Sequence, residues 1–315
     1  MLNYKVYFLI LFIFLIMNFF SSLFSKPNVE IILNEIPKRR CVYLRDENRN
    51  RIKLPSFYDR ENIEGKIILS INNNSFSHNG IKVQIVGLIE NKLDKKNYEF
   101  ISLTKDIYPA SKLNNQINTF EYSFNNVEKT YESYRGINLN IKYLIRVIIE
   151  TKIRSLVWER EFGVVNPVKK EALEILNDPI EMSVGIGEWL HLIFYLDRSK
   201  YTTKDVITGR ILFKKVTLNL KMMGLEIIKK ENYNNGELSS NKTICRFEIM
   251  DGAPVKNEII PIRFFLSPYE LTPTYKNINN KFSVKYFINL VIYDYKDKRY
   301  FKQHEIILYR IPRII

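Results

Sequence analysis

Hydrophobic residues occupy every second position in short segments along most of this chain, which is the pattern of half-buried strands. The clearest segment is 137–150, where residues such as Tyr143 and Val147 alternate with mostly polar neighbours. One face of such a strand is buried and the other is solvated, as in an antiparallel sheet. Further strands are predicted over residues 29–33, 65–71, 81–90, 97–103, 118–124, 181–185, 189–195, 205–213, 216–229, 246–250, 259–266, 282–295 and 299–310. The pattern therefore predicts an all-β protein.

Two prolines, Pro167 and Pro179, border the stretch with helical texture, KKEALEILN. This stretch divides the chain into near-equal halves, so we interpret 167–179 as a linker with at most two helical turns. The predicted domains are then 28–166 and 180–315, preceded by an apolar segment over 1–27.

The two halves resemble copies of one unit. The block that begins at Gly65 (GKIIL) is echoed at Gly209 (GRILF), and VGLIE around Gly87 is echoed by MGLEI around Gly224. The blocks YLIRVIIE and YFINLVIY follow at nearly the same distance in each half. A repeat of this length indicates duplicated domains, and the strand pattern makes each one a β-sandwich.

The composition is that of a folded globular protein, with 46% hydrophobic and 13% aromatic residues in 315. This length accommodates two domains, each with its own core. The formal net charge of +14 favours negatively charged partners, either nucleic acid or an anionic membrane surface. The basic residues are scattered in pairs such as Lys214-Lys215. We therefore predict a generally basic surface, not a protein that reads nucleic acid.

Cysteine and histidine are sparse. Cys41 and Cys245 are far apart in the sequence, which argues against a disulfide framework and favours a reducing compartment. The three histidines, His78, His191 and His304, share no ligand spacing with the cysteines. No metal site and no cofactor are predicted.

Motifs for catalysis are absent from the sequence. It contains no nucleophile elbow, no HExxH, no phosphate loop and no kinase signature. SVGIG at 183–187 contains a GxG but lacks the third glycine and a following helix, so we interpret it as a strand bend. The chain is therefore predicted to be a binding protein and not an enzyme.

The stretch 246–266 combines a strand, a tight turn and a second strand. The first strand ends at Asp251-Gly252-Ala253-Pro254, because Asp-Gly favours a tight turn and proline cannot donate to a sheet ladder. Ile249 and Met250 are adjacent just before this turn, so on a regular strand they face opposite ways. Two interpretations stay open on the pattern alone. Either both side chains are buried at the strand end, or they form an exposed apolar anchor for a partner.

Several blocks of the chain closely resemble one known family. They are SFYDRENIEGKI, VEKTYESYRGINL, SKYTTKDVITGRI, EIMDGAPVKNEIIPIRFFL, the Thr-Pro-Thr at 272–274, NKFSVKYFINLV and RYFKQHEIIL. On these blocks the chain resembles the vacuolar protein sorting-associated protein 26 family, the arrestin-like small subunits of the retromer coat. The resemblance extends over nearly the whole chain, from residue 28 to residue 310.

The resemblance implies two arrestin-like β-sandwiches in tandem and a non-enzymatic subunit of an endosomal sorting coat. In that family the subunit binds the end of an α-solenoid large subunit, vacuolar protein sorting-associated protein 35, and through it a phosphoesterase-like subunit. With sorting nexins it holds cargo tails at the cytoplasmic face of the endosomal membrane, for endosome-to-Golgi or recycling transport.

The resemblance also implies two sets of binding residues. The loop by which the family docks onto the large subunit is matched by Ile249, Met250, Asp251 and Gly252. The blocks that meet beside a sorting nexin are matched by Val184, in EMSVGI, and Phe301, in RYFKQ. These two are expected to line the pocket for cargo tails, with the alternative that both are core residues.

A second class of function stays open, a secreted or membrane-tethered β-sandwich module for adhesion. The apolar run at 6–17 and the sequons at Asn73 and Asn241 favour it. Glycosylation separates the two classes, because a lumenal protein carries glycans at these sequons and a cytosolic protein does not.

The apolar run at 6–17 has the length of a signal-peptide core and is shorter than the ~20 residues that span a bilayer. The resemblance begins at Met17 (MNFFSSLF), which is similar to the short Phe-rich start of the family. We expect the functional chain to begin near Met17, with 1–16 an upstream gene-model extension; a targeting or anchoring segment is the alternative. Mass spectrometry of the endogenous N-terminus checks this, and a mature peptide spanning 7–18 would contradict it.

Overall fold

The computed structural model describes residues 26–34, 39–45, 50–71, 75–93, 95–168, 177–233, 238–278 and 282–311. Within these ranges the chain consists of strands, turns and extended segments and contains no helix, so the all-β prediction is confirmed. The apolar segment up to residue 25 and the predicted helical turns at 169–176 lie outside the described residues.

The chain divides into two compact units. The first comprises Met1–Arg135 with Leu139–Val165, and the second comprises Gly136–Asn138 with Asn166–Ile315. The domain limits and the linker drawn from the sequence stay predictions.

The first unit is a sandwich of two sheets. Its strands are β1 (Asn28–Leu33), β2 (Cys41–Arg45), β3 (Arg51–Phe57), β4 (Ile63–Ser70), β5 (Phe76–Asn91), β6 (Asn97–Leu113), β7 (Ile117–Phe124), β8 (Tyr134–Arg135), β9 (Leu139–Glu150) and β10 (Ser155–Val164). One sheet has the order β1-β4-β7, and the other has the order β2-β3-β10-β9-β5-β6 with β8 against β9.

The second unit repeats this plan. Its strands are β11 (Ile180–Ile186), β12 (Leu190–Leu196), β13 (Lys200–Thr202), β14 (Val206–Val216), β15 (Leu220–Tyr233), β16 (Leu238–Asp251), β17 (Ile259–Phe265), β18 (Tyr275–Ile278), β19 (Phe282–Asp294) and β20 (Arg299–Tyr309). One sheet has the order β11-β12-β14-β17, and the other has the order β13-β20-β19-β15-β16 with β18 against β19. In both units a short strand joins the last long strand in parallel, β3 with β10 and β13 with β20.

The central strands of each unit carry its core. Tyr143, Ile145 and Val147 of β9 are fully buried, as are Val284 and Ile288 of β19. Full burial of one such side chain contributes about 1.5–3 kcal/mol. Because β9 and β19 each have a long strand on both sides, their backbone donors and acceptors are also paired. The strands that bury the most apolar side chains are therefore also strands whose backbone is paired on both sides.

One buried tyrosine in each unit ties a loop to the central strand. The Tyr143 hydroxyl donates to the Tyr131 carbonyl at 2.7 Å. The Tyr286 hydroxyl accepts from the backbone N–H of Thr272 at 3.2 Å and lies 2.9 Å from its Oγ1. Burial raises the pKa of both phenols, so both stay neutral. The repeat is therefore visible in side-chain contacts as well as in topology.

Several strands were not predicted from the sequence. The alternation predicts no strand between 33 and 65, yet β2 and β3 lie there, because their half-exposed residues blur the pattern. β10 was also missed, because polar residues such as Glu159, Arg160 and Glu161 interrupt its apolar face. β8, β13 and β18 are too short for a periodic signal.

The first block of the repeat begins with glycine because two strands approach closely there. A Cβ at Gly65 would lie 2.0 Å from the carbonyl oxygen of Ile32, and a Cβ at Gly209 would lie 2.1 Å from that of Tyr195. Both neighbours are backbone atoms of a paired strand, so no flexible side chain can move aside.

We expect Gly65→Ala and Gly209→Ala each to lower the free energy of unfolding by roughly 1–3 kcal/mol, the usual cost of overpacking. Urea denaturation of the full chain measures this. Tryptophan fluorescence follows the unfolding of both units, because Trp158 lies in β10 and Trp189 lies between β11 and β12.

Gly185→Ala is the matched control. A Cβ there would have its nearest neighbour, the Leu190 carbonyl oxygen, at 4.0 Å. Its expected effect is within about 0.5 kcal/mol, as for an ordinary surface substitution. Equal effects of all three substitutions would contradict the close-approach explanation.

Candidate functional site

Ile249 and Met250 lie at the end of β16, which is the edge strand of its sheet and pairs with β15. Met250 is opposite Met223 and Glu248 is opposite Gly224, so Ile249 is an extra residue without a partner in the ladder. This is a β-bulge, which bends the strand and re-aims its side chains. Both Ile249 and Met250 are half-buried. The assumption of a regular strand was therefore wrong, and both side chains reach solvent.

The bulge lies opposite a glycine in both units. A Cβ at Gly224 would lie 3.1 Å from the Phe247 carbonyl oxygen. In the first unit, Phe100 is the extra residue opposite Gly87, whose Cβ would lie 2.8 Å from the Phe100 ring. The repeated glycine of the second sequence block thus makes room for the bulge.

The turn after β16 is held firmly. Gly252 has a φ of +96°, a conformation that favours glycine, and its N–H donates to the Lys221 carbonyl at 2.9 Å. Pro254 is buried. Farther on, the Asn257 N–H donates to the Phe213 carbonyl at 2.6 Å, and the Phe213 N–H donates to the Glu258 carbonyl at 3.0 Å. The loop is therefore preorganised, which lowers the entropy lost when a partner binds.

Apolar side chains surround the pair on this surface. Phe247 is 45% exposed and Val255 is 68% exposed. Together with Ile249 and Met250 they give the end of β16 and the turn after it four accessible apolar side chains, with the exposed acids Glu248 and Asp251 among them. We call these four residues the apolar patch. Accessible apolar side chains with polar neighbours are typical of a protein-binding surface. Phe247 and Val255 were not among the binding residues predicted from the sequence. The available signal for Val255 was a single apolar residue between Pro254 and Lys256.

A buried carboxylate fixes the strand that carries the patch. Glu226 of β15 is 2% exposed. Arg246 of β16 contacts its Oε1 through Nε and Nη2, both at 2.8 Å, and Asn289 of β19 donates to Oε2 at 2.9 Å. Arg299 of β20 approaches Oε2 at 3.4 Å. This network joins four neighbouring strands and was not found from the sequence, because it depends on register.

Val184 and Phe301 occupy different environments. Val184 is 8% exposed and points inward from β11, as a core residue does. Phe301 of β20 is 59% exposed, with the Arg299 guanidinium 5.2 Å from its ring centroid. Val184 therefore belongs to the core of its unit, whereas the Phe301 side chain is accessible at the surface. Their role in binding cargo tails stays a prediction.

The two strands nevertheless border the same side of the sandwich. β16 and β17 come together on one side, where the Phe247 and Phe264 rings lie 5.8 Å apart. β11 and β20 therefore border the opposite side. Among the described strands, β11 pairs with β12 alone, and β13 pairs with β20 only at Ile307–Tyr309. Backbone groups on both strands are thus available to an added strand.

The described residues contain no group of three or more His, Cys, Asp or Glu that could hold a metal ion. Cys41 and Cys245 are free thiols, and burial raises the pKa of the Cys245 thiol. No helix in the described ranges is long and apolar enough to cross a membrane. The arrangement offers surfaces for binding.

Comparison with known proteins gives a consistent result. The family model described as vacuolar protein sorting-associated protein 26 matches residues 24–297. The vacuolar protein sorting-associated protein 26 of Dictyostelium discoideum is 43% identical over 301 residues, covering 93% of this chain and 85% of the relative. The 26B proteins of Mus musculus and Homo sapiens are each 42% identical over 292 residues, covering 91% of this chain and 86% of each relative. The resemblance and the arrestin-like fold class are confirmed, and the chain belongs to the vacuolar protein sorting-associated protein 26 family.

Proposed function

We propose that this protein is the small subunit of a retromer coat, which sorts cargo at the cytoplasmic face of endosomes. It acts as a non-enzymatic adaptor between an α-solenoid large subunit, sorting nexins and cargo tails. The observation that carries the proposal is the half-buried pair Ile249 and Met250 beside a rigid turn. This pair lies in the sequence block that resembles the docking loop of the family.

The docking surface suits a groove on an α-solenoid. Two adjacent apolar side chains on a bulged edge strand enter a pocket together, and Asp251 and Gly252 define the turn that follows. Because Glu226 and Arg246 clamp β16, little order must be gained on binding. The free thiols of Cys41 and Cys245 are compatible with a reducing compartment.

Cargo tails would bind on the opposite side of the second unit. There an extended peptide adds to the open edge of β11 or β20, and main-chain hydrogen bonds supply affinity. Phe301 supplies an apolar contact that selects among side chains. Val184 serves indirectly, by packing β11 against the core.

Replacement of the pair tests docking. We expect Ile249→Asp with Met250→Asn to weaken binding to the large subunit by at least about a hundredfold, because apolar anchors are lost and a charge is buried without a partner. Isothermal titration calorimetry with the large subunit of the same species measures the affinity.

Phe265→Asp is the control for the docking test. Phe265 is 51% exposed in the same unit but at the far end of β17 from the docking loop. It should bind as the wild type does, and both variants should keep the wild-type melting temperature. Normal binding by the Ile249→Asp, Met250→Asn variant would refute the docking assignment.

A second pair of substitutions separates the cargo contact from the core. Phe301→Asp should reduce the affinity for a cargo-tail peptide about tenfold, with little change in melting temperature, because the ring is exposed. Val184→Ala should lower the free energy of unfolding by about 1–2 kcal/mol, through the lost methyl groups and the resulting cavity. Peptide binding in the presence of a sorting nexin and thermal unfolding measure the two effects. A large loss of stability in Phe301→Asp would assign that residue to the core instead.

A further inference from the structure

One end of the second unit gathers exposed aromatic and apolar side chains on separate loops. Trp189 is 58% exposed, Tyr295 is 65% exposed and Val255 is 68% exposed. Trp189 ends the turn between β11 and β12, Tyr295 begins the turn between β19 and β20, and Val255 lies between β16 and β17. None of these three residues was selected from the sequence.

A single short segment joins these loops. Residues 217–219 connect β14 to β15, and Leu220 and Lys221 begin β15. The Trp189 carbonyl accepts from the N–H groups of Thr217 at 2.7 Å and Leu218 at 3.2 Å, and from Thr217 Oγ1 at 3.0 Å. The next residue, Asn219, accepts from the Tyr295 N–H at 3.2 Å, and Lys221 accepts from the Gly252 N–H at 2.9 Å. The loops therefore meet at one place, which we call the four-loop end (residues 187–189, 217–221, 251–258 and 295–298).

The aromatic side chains are presented on rigid turns. Gly187 has a φ of +50°, and a Cβ there would lie 3.1 Å from the Trp189 ring, so the indole lies against the turn. Beside Tyr295, the buried carboxylate of Asp294 accepts from the N–H groups of Lys296 and Lys298, both at 2.9 Å. These hydrogen bonds to the charged carboxylate lower the pKa of Asp294. Exposed aromatics on preorganised loops are typical anchors of protein interfaces.

The charges at this end favour a protein partner over a membrane. Lysines and acids are interspersed, the lysines being Lys221, Lys256, Lys296 and Lys298 and the acids Glu188, Asp251, Glu258 and Asp297. Lys221, at the start of β15, pairs with Asp297 of the β19–β20 turn. An anionic bilayer binds surfaces that carry mainly positive charge, whereas this surface carries both signs. Mixed charges around apolar anchors instead form the rim of a protein interface.

The four-loop end is continuous with the docking loop, because the turn 251–258 belongs to both. We propose that Trp189 and Tyr295 are binding residues for the same α-solenoid large subunit, and that they extend the interface from Ile249 and Met250 across the end of the sandwich. This inference rests on the proposed function. It assigns to the large subunit a footprint that reaches from β16 to the β11–β12 and β19–β20 turns.

Alanine substitutions test this footprint. Trp189→Ala and Tyr295→Ala should each weaken binding to the large subunit about tenfold, and the double variant about a hundredfold, as expected for interface hot spots. Trp189→Phe, which keeps an aromatic ring, should retain most of the affinity. Phe265→Ala, an exposed aromatic at the opposite end of β17, should bind as the wild type does. Unchanged melting temperatures establish that the variants are folded.

The outcomes separate this inference from the proposed function. If Ile249→Asp with Met250→Asn abolishes binding while the Trp189→Ala, Tyr295→Ala variant binds normally, the footprint is wrong and the docking loop stands. If neither variant loses affinity, both proposals fail. Unchanged large-subunit affinity with a loss of sedimentation on phosphatidylserine vesicles, or a loss of self-association in analytical ultracentrifugation, would overturn the inference in favour of a membrane or a second copy.

Discussion

The buried carboxylate of Glu226 is the constraint on which the arrangement of the second unit depends. A charge that is 2% exposed is costly unless it is paired and hydrogen-bonded. Arg246 and Asn289 supply these partners from β16 and β19, the two strands beside β15, and Arg299 approaches from β20, one strand farther. A register slip of the edge strand would separate Arg246 from Glu226. The contact between Arg246 and Glu226 thereby favours one register of β16 against β15, a few residues before the bulge at Ile249 and the turn at 251–258.

The two units share one irregularity in an edge strand. Each has a glycine opposite a bulge in its edge strand. In the first unit the extra residue, Phe100, turns its ring onto Tyr131 and Tyr143, with edge-on contacts at 5.4 and 5.6 Å between centroids. In the second unit the extra residue is Ile249. Phe100 and Ile249 are both half-buried, so the same backbone irregularity leaves a partly accessible apolar side chain in each unit.

The sequence predicted strands whose two faces differ in burial, because alternation of apolar and polar residues records that difference. In β11 one face is buried and the other exposed, and in β9 the second face is partly buried. The sequence missed β10, where charged residues interrupt the apolar face, and it could not predict β2. For Ile249 and Met250 the pattern left two interpretations open, because a bulge breaks the rule that adjacent side chains face opposite ways. The resemblance to a known family selected these residues, and the backbone then explains why both reach solvent. Exposure at Trp189 and Tyr295 depends on how distant loops meet, which periodicity does not encode.

Hydrogen–deuterium exchange of the full chain, alone and with the large subunit, tests the central claim most directly. Peptides covering 247–258 should become protected on complex formation, because the large subunit would cover the docking loop. Peptides from the exposed edge strand β6, Asn97–Leu113, should exchange at the same rate in both states. Protection confined to the first unit, with unchanged exchange across 247–258, would contradict the account.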